Sequence, residues 1–242
     1  MIGLVGFDGD DTLWHSEGYY RAAQAEFENI LGHYLDLADA RLHERLLETE
    51  SRNIALFGYG AKGMTLSMLE TAIALTGENI SARDLHRIIA LGKQVLEHPV
   101  QLLPGIREAV EAVAGRYPIV LITKGDLFHQ EGKVARSGLA DLFQRIEIVS
   151  EKDAARYQRV LHEFRLDAES FVMIGNSLRS DIEPVIRLGG AGIYMPYHVT
   201  WAHELENGLA ADEPRMLEIS APDQIPAALD TLSARCMDGS RA

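Results

Sequence analysis

Four short clusters in this 242-residue chain carry side chains suited to chemistry. Asp8, Asp10 and Thr12 fall in the pattern Asp-x-Asp-x-Thr, directly after the apolar run of residues 2–7. Thr123, followed by Lys124-Gly125-Asp126, closes a second apolar run, and Lys152 follows a third. Gly175-Asn176-Ser177, with Asp181 beyond, closes a fourth. Two converging carboxylates repel, so one must be neutralised by a cation or kept protonated. Mg²⁺ suits the set: a hard ion satisfied by one or two carboxylates, a carbonyl, waters and a phosphate oxygen. A carboxylate can attack phosphorus and form an acyl phosphate. A second carboxyl two residues on can protonate the leaving oxygen and later activate water. Thr123 and Lys152 bring a hydrogen bond and a positive charge to the transferring group.

The elements that must position these residues follow from apolar spacing. Residues 2–7 read as a buried strand opening into the Asp8–Asp11 loop. Between 15 and 102 the period is helical: Phe27, Ile30 and Leu31; Leu66, Leu69 and Ile73; Leu85, Ile88 and Ile89. Ser81 reads as an N-cap with Asp84 in the first turn. From Pro104-Gly105 onward, short apolar strands near 118–122, 146–149, 171–174 and 192–196 alternate with single helices. A last strand near 217–219 and a helix near 225–232 precede a tail after Arg235. The pattern predicts an α/β fold, with a Rossmann-like parallel sheet core built from residues 1–14 and 103–242 and an all-helical cap inserted at 15–102. Open parallel sheets bind ligands beyond their carboxyl strand ends, where all four clusters fall.

The order of these motifs resembles the haloacid dehalogenase superfamily, in its phosphatase branch with a helical C1-type cap. The resemblance spans roughly residues 1–200 and rests on Phe7-Asp8-Gly9-Asp10-Asp11-Thr12-Leu13, Thr123, Lys152, and Gly175-Asn176-Ser177 through Asp181. It implies that Asp8 is the nucleophile and Asp10 the general acid and then base. Thr123 and Lys152 would bind phosphoryl oxygens, and Asp8, Asp10 (through its carbonyl), Asn176 and Asp181 would hold Mg²⁺. Asn176 departs from the family's usual Asp; an amide oxygen coordinates without charge, so a weaker, more labile metal site is expected. The implied activity is Mg²⁺-dependent hydrolysis of a small phosphomonoester: a sugar phosphate, nucleotide or phosphoglycolate-like acid. A carbon–halogen hydrolase on the same scaffold is the nearest alternative. It needs no metal and has no leaving oxygen to protonate, so Asp10 speaks against it while Asn176 leans toward it. A phosphate-accepting signalling module shares the acidic cluster but needs neither the insert nor Asp10.

Other residues carry weaker signals. Tyr59 and Lys62 in the Gly-rich stretch 57–63, and Lys124 after the second strand, are candidate substrate contacts. Asp11 reads as a structural residue pointing away, Ser177 as either a turn former or a donor supporting the site, and Tyr19 and Tyr20 as packing residues. His198 and His203, flanking Trp201, read as an ordinary loop. With 23 basic against 36 acidic residues the net charge is −13, which disfavours nucleic acid. The single Cys236 permits no internal disulfide and suits a reducing compartment. The N-terminus lacks the basic lead of a signal peptide, and no apolar run reaches the ~20 residues that span a bilayer. The expectation is a cytoplasmic enzyme, monomer or homodimer, acting on a small phosphorylated metabolite away from membranes.

Overall fold

A computed structural model of the chain describes residues 1–199, 201, 208–210 and 212–239. Six strands form one parallel sheet: β1 (Leu4–Phe7), β2 (Ile119–Lys124), β3 (Arg145–Val149), β4 (Phe171–Gly175), β5 (Ala191–Tyr194) and β6 (Met216–Glu218), in the order β3-β2-β1-β4-β5-β6. Central β1 pairs on one side with β2, Val5 opposite Ile119, and on the other with β4, Val5 opposite Val172. The strand order reverses around β1, so the crevice beyond its carboxyl end is the switch point. Every residue of β1 and β4 is buried, as a strand covered on both faces requires.

The alternation of side chains divides the core in two. Val5, Phe7, Leu121, Val172 and Ile174 point to one face, against Ile106 and Val110 of α6 (Ile106–Ala114) and Leu229 of α10 (Ile225–Gly239). Leu4, Val120, Ile122, Phe171 and Met173 point to the other. There they pack on Tyr157 and Leu161 of α8 (Ala154–Phe164) and Val185 of α9 (Glu183–Leu188). The helix expected near 225–232 runs on to Gly239, so the tail begins later than Arg235.

Contacts divide the chain into two compact units. One holds residues 1–17, 100–124 and the chain from 130 onward, and the other holds 18–99 together with 125–129. The second is helical: α1 (Glu17–Leu31, joining it after its first residue), α2 (Leu37–Ala40), α3 (Leu42–Phe57), α4 (Ala61–Leu75) and α5 (Ala82–Glu97). Ser81 caps α5, its hydroxyl accepting the Asp84 N–H. The stripe expected from Leu66, Leu69 and Ile73 is not the buried face of α4. That helix buries Gly63, Met64, Ser67, Met68, Thr71 and Ala72, whereas Leu66 and Ile73 are 43% and 39% exposed. The reason is close helix packing: a Cβ on Gly92 of α5 would lie 1.9 Å from Thr65 Oγ1, so small residues line the contact. Among the described residues, no helix is long and apolar enough to cross a membrane.

Candidate active site

The first cluster is built on a tight turn. Asp8 extends β1, donating its N–H to the Ile174 carbonyl at 2.9 Å, and Gly9 accepts from Leu13 N at 2.8 Å. A Cβ at Gly9 would stand 2.9 Å from the Trp14 ring and 3.1 Å from Thr123 Oγ1, so only glycine lets the turn approach the end of β2. Asp11 takes a left-handed φ of 61°, and its carboxylate accepts the Ser16 N–H at 2.8 Å and the Glu17 N–H at 3.0 Å, at the start of α1. Burial, then the Asp10 charge, push this carboxyl up to about 7.

Asp8, Lys152 and Asp181 form a buried triad. Lys152 Nζ donates to Asp8 Oδ1 and, at 2.6 Å, to Asp181 Oδ1. Asp8 Oδ2 accepts from Thr12 Oγ1 at 3.0 Å. Burial works against the Lys152 charge, but Asp181 and Asp8 outweigh it and hold the ammonium well above its usual range. Burial and the Asp8 charge push the Asp181 carboxyl up, while Lys152 and the Ser177 N–H pull it back. Asp181 lies so close to the end of β4 that a Cβ on Gly175 would meet its Oδ2 at 2.2 Å. Ser177 donates its N–H to Asp181 Oδ2 at 3.0 Å and accepts the Ser180 N–H with its hydroxyl, so it is both turn former and support.

The side-chain amide of Asn176 faces the same point. Its inward atom lies 3.1 Å from Asp8 Oδ2, 3.2 Å from the Asp10 carbonyl oxygen and 3.2 Å from Thr12 Oγ1. An amide nitrogen there lies within donating distance of all three. An amide oxygen there faces the oxygens of Asp8 and Asp10 and needs a cation among them. Carboxylate, carbonyl and amide oxygens are the hard ligands that Mg²⁺ takes. The oxygen set therefore fits a hard divalent cation with the amide in one orientation, and a metal-free hydrogen-bonded site in the other. Among the described residues, no three His, Cys, Asp or Glu gather as a ready ligand group, because Lys152 stands between Asp8 and Asp181 and the Asp10 carboxylate turns elsewhere.

That carboxylate enters a cluster the sequence reading did not foresee. Asp10 Oδ1 accepts from Trp14 Nε1 at 2.6 Å and Lys133 Nζ at 2.7 Å; Oδ2 accepts from Lys133 Nζ at 2.8 Å and Gln130 Nε2 at 3.0 Å. Burial raises the Asp10 carboxyl, but the Lys133 charge and these hydrogen bonds together hold it below its ordinary value. Gln130 also donates to Thr123 Oγ1 at 2.9 Å and to the Lys124 carbonyl at 2.8 Å. Both residues sit on α7 (Leu127–Ser137), whose polarity is inverted: Gln130 and Lys133 are 1% and 7% exposed, whereas Phe128 is 80% exposed. The signal available was a polar pair three residues apart, just beyond a strand-end threonine.

The remaining candidates divide. Lys124 ends β2; its Nζ donates to Ser180 Oγ at 3.2 Å, lies 3.7 Å from Glu151 Oε1 and faces the Trp201 ring at 5.9 Å. Lys62 belongs to the helical unit, where it pairs with Asp126 at 2.9 Å. Tyr59 lies between α3 and α4 in that unit, half-buried. Neither belongs to the unit that carries the carboxylates. Tyr197, next to His198, meets His15 Nδ1 at 2.6 Å, while His203 lies outside the described residues.

A parallel sheet of this order, with carboxylates, a hydroxyl and a lysine beyond its central strands, is an α/β architecture with a Rossmann-like core and a polar site at its switch point. The haloacid dehalogenase-like hydrolase family model matches residues 2–189, and the chain belongs to that family. Its fold is similar to a haloacid dehalogenase-like family hydrolase from Xanthomonas campestris, 59% identical over 98% of each chain, with a TM-score of 0.90. It is also similar to a 2-haloacid dehalogenase from Pseudomonas syringae pv. Tomato DC3000, 25% identical over 96% of this chain and 99% of that one, TM-score 0.61. A third similar structure is a putative hydrolase of the family from Bacillus subtilis, bound to magnesium, 18% identical over 95% and 99% of the two chains, TM-score 0.60. No curated protein sequence matches the chain at a significant level.

Proposed function

We propose that this hydrolase cleaves phosphomonoesters of small metabolites through an aspartyl-phosphate on Asp8. The observation that carries the reading is the second carboxyl: Asp10 stands two residues after Asp8, fixed by four hydrogen bonds. Such a group serves a leaving oxygen, and a carbon–halogen bond offers none.

In the first step an Asp8 carboxylate oxygen bonds to phosphorus while the bond to the leaving oxygen breaks, and Asp10 passes that oxygen a proton. In the second, Asp10 takes a proton from the water whose oxygen attacks phosphorus. The bond to Asp8 then breaks and inorganic phosphate leaves. Lys133 favours the carboxylate form that the second step needs, and the negative charge of an arriving phosphate favours the protonated form that the first step needs. Lys152 and Thr123 bind the phosphoryl oxygens, where charge accumulates. Asp8, the Asp10 carbonyl, Asn176 and Asp181 are the groups that would hold Mg²⁺, which when bound supplies charge neutralisation for the phosphoryl group. Binding of a small anion in a chain of net charge −13 is then a matter of the cations at the site, Lys152 and Lys133.

The test is phosphate release from a panel of sugar phosphates, nucleotides and phosphorylated acids with Mg²⁺. Turnover by the wild type and none by Asp8→Asn supports the reading; full activity in Asp8→Asn refutes the nucleophile. A second reading, a carbon–halogen hydrolase, draws on the Asn176 amide that can close the site without metal, and on the 2-haloacid dehalogenase likeness. Halide release insensitive to EDTA, with no phosphate release, would establish it instead.

A further inference from the structure

We infer that Gln130 and Lys133 are positioning residues for the reaction, fixing the Asp10 carboxylate and aiming the Thr123 hydroxyl. The inference rests on the phosphatase reading above. It begins with the placement of two polar groups that a helix facing the sheet would ordinarily replace with apolar ones. Gln130 and Lys133 lie one turn apart on α7 and are 1% and 7% exposed. Burying a lysine is unfavourable unless it is paired, and its partners here are both oxygens of Asp10, at 2.7 and 2.8 Å, with Ser16 Oγ at 3.4 Å.

Gln130 joins the acid to the phosphate-binding threonine. Its Nε2 has two hydrogens and three acceptors within reach: Asp10 Oδ2 at 3.0 Å, Thr123 Oγ1 at 2.9 Å and the Lys124 carbonyl at 2.8 Å. Because Thr123 Oγ1 accepts from Gln130, its own proton is left to donate to a phosphoryl oxygen. Gln130 Oε1, by contrast, is buried and has no hydrogen-bond partner among the described residues. Turning the amide over would set that oxygen against the Asp10 carboxylate. The orientation is dictated by the two groups it serves, at the cost of a buried acceptor left unsatisfied. Trp14 Nε1, at 2.6 Å from Asp10 Oδ1, closes the ring of donors.

A helix-packing role alone would slow every substrate alike, whereas positioning of Asp10 discriminates by leaving group. The experiment compares kcat/KM, which reports the step that expels the alcohol. It uses p-nitrophenyl phosphate, whose leaving group needs no proton, and an alkyl phosphate, whose leaving group does. Gln130→Met and Lys133→Met should lose about tenfold or more on the alkyl ester beyond any loss on the nitrophenyl ester, within the range general acid catalysis supplies. Lys133→Arg, which keeps the charge, should recover part of the difference. Gln130→Met, close to isosteric, keeps the test decisive if Lys133→Met melts early. Equal losses on both esters, or an arginine variant no better than the methionine, would overturn the assignment while leaving the phosphatase reading intact. A wild type that releases phosphate from neither these esters nor any member of the metabolite panel would overturn both.

Discussion

Replacing Asp11 by Asn should stabilise the protein, and do so most at alkaline pH. The Asp11 carboxyl is buried beside Asp10, and burial, then that neighbouring charge, raise it from an ordinary 3.8 to about 7. A carboxyl whose folded pKa lies above its unfolded one binds its proton more tightly in the folded chain. Stability therefore falls as pH rises between about 4 and 7, and the full penalty is present above that window. The difference of about 3 pH units, at about 1.36 kcal/mol each, sets a ceiling of roughly 4 kcal/mol. Relaxation and water penetration around a buried charge leave about half of it, or ~2 kcal/mol. Asn keeps an oxygen to accept from Ser16 and Glu17, and it tolerates the left-handed φ of 61° better than most residues. For a chain of this length ~2 kcal/mol corresponds to about 4–8 °C in Tm. The assay is thermal unfolding of wild type and Asp11→Asn with EDTA present, at pH 8 and pH 5. The gain should reach that range at pH 8 and shrink to roughly a third at pH 5. A gain equal at both pH values, or a loss at pH 8, would refute the reasoning.

Three further outcomes follow from the same site. Asn176→Asp adds a charge where the amide meets Asp8 and the Asp10 carbonyl, so it should raise apparent Mg²⁺ affinity and lower Tm in EDTA; calorimetric titration and melting curves check both. Lys152→Met strands Asp8 and Asp181 as buried carboxylates. It should cost about 3–5 kcal/mol in metal-free protein, read by urea unfolding, besides removing activity. Gly175→Ala would drive a methyl into Asp181, its Cβ only 2.2 Å from Oδ2, so phosphate release should fall by at least about a hundredfold, as small displacements at such sites do; unchanged activity would show that Asp181 is not held as described.

Much of this was legible from residue types. Buried parallel strands appear as unbroken apolar runs, and a run that stops at a carboxylate or threonine marks the strand end where ligands bind. Asp8, Thr123, Lys152 and Asp181 are read from such run ends; the structure joins Asp8 and Asp181 through the Lys152 ammonium, with Thr12 on Asp8, while Thr123 meets Gln130. What escaped reading is instructive in physical terms. Spacing tells which residues share a helix face but not which face is covered, so Leu66 and Ile73 suggested a stripe that the small-residue packing of α4 against α5 leaves outside. Gln130 and Lys133 look like any solvated polar pair until Asp10, more than a hundred positions earlier, is brought to them. The grouping of residues 125–129 with the helical unit depends likewise on contacts distant in sequence, such as Lys62 with Asp126.

The inverted polarity of α7 has a consequence for how this protein responds to engineering. Rules that fill buried positions with apolar side chains and strip them from the surface would target Gln130, Lys133 and Phe128 first. Exchanging a buried ion pair for matched hydrophobes is often neutral or stabilising when both partners go together. Replacing Asp10 and Lys133 together by apolar residues would still strand the Trp14 donor and take one acceptor from Gln130. Resistance to heat should therefore rise only when Gln130 and Trp14 are replaced by groups without a free donor as well, and turnover is lost in either case. Selected for robustness alone, the lineage would shed this polar cluster as a unit, because in it stability and activity make opposite demands on the same few cubic ångströms.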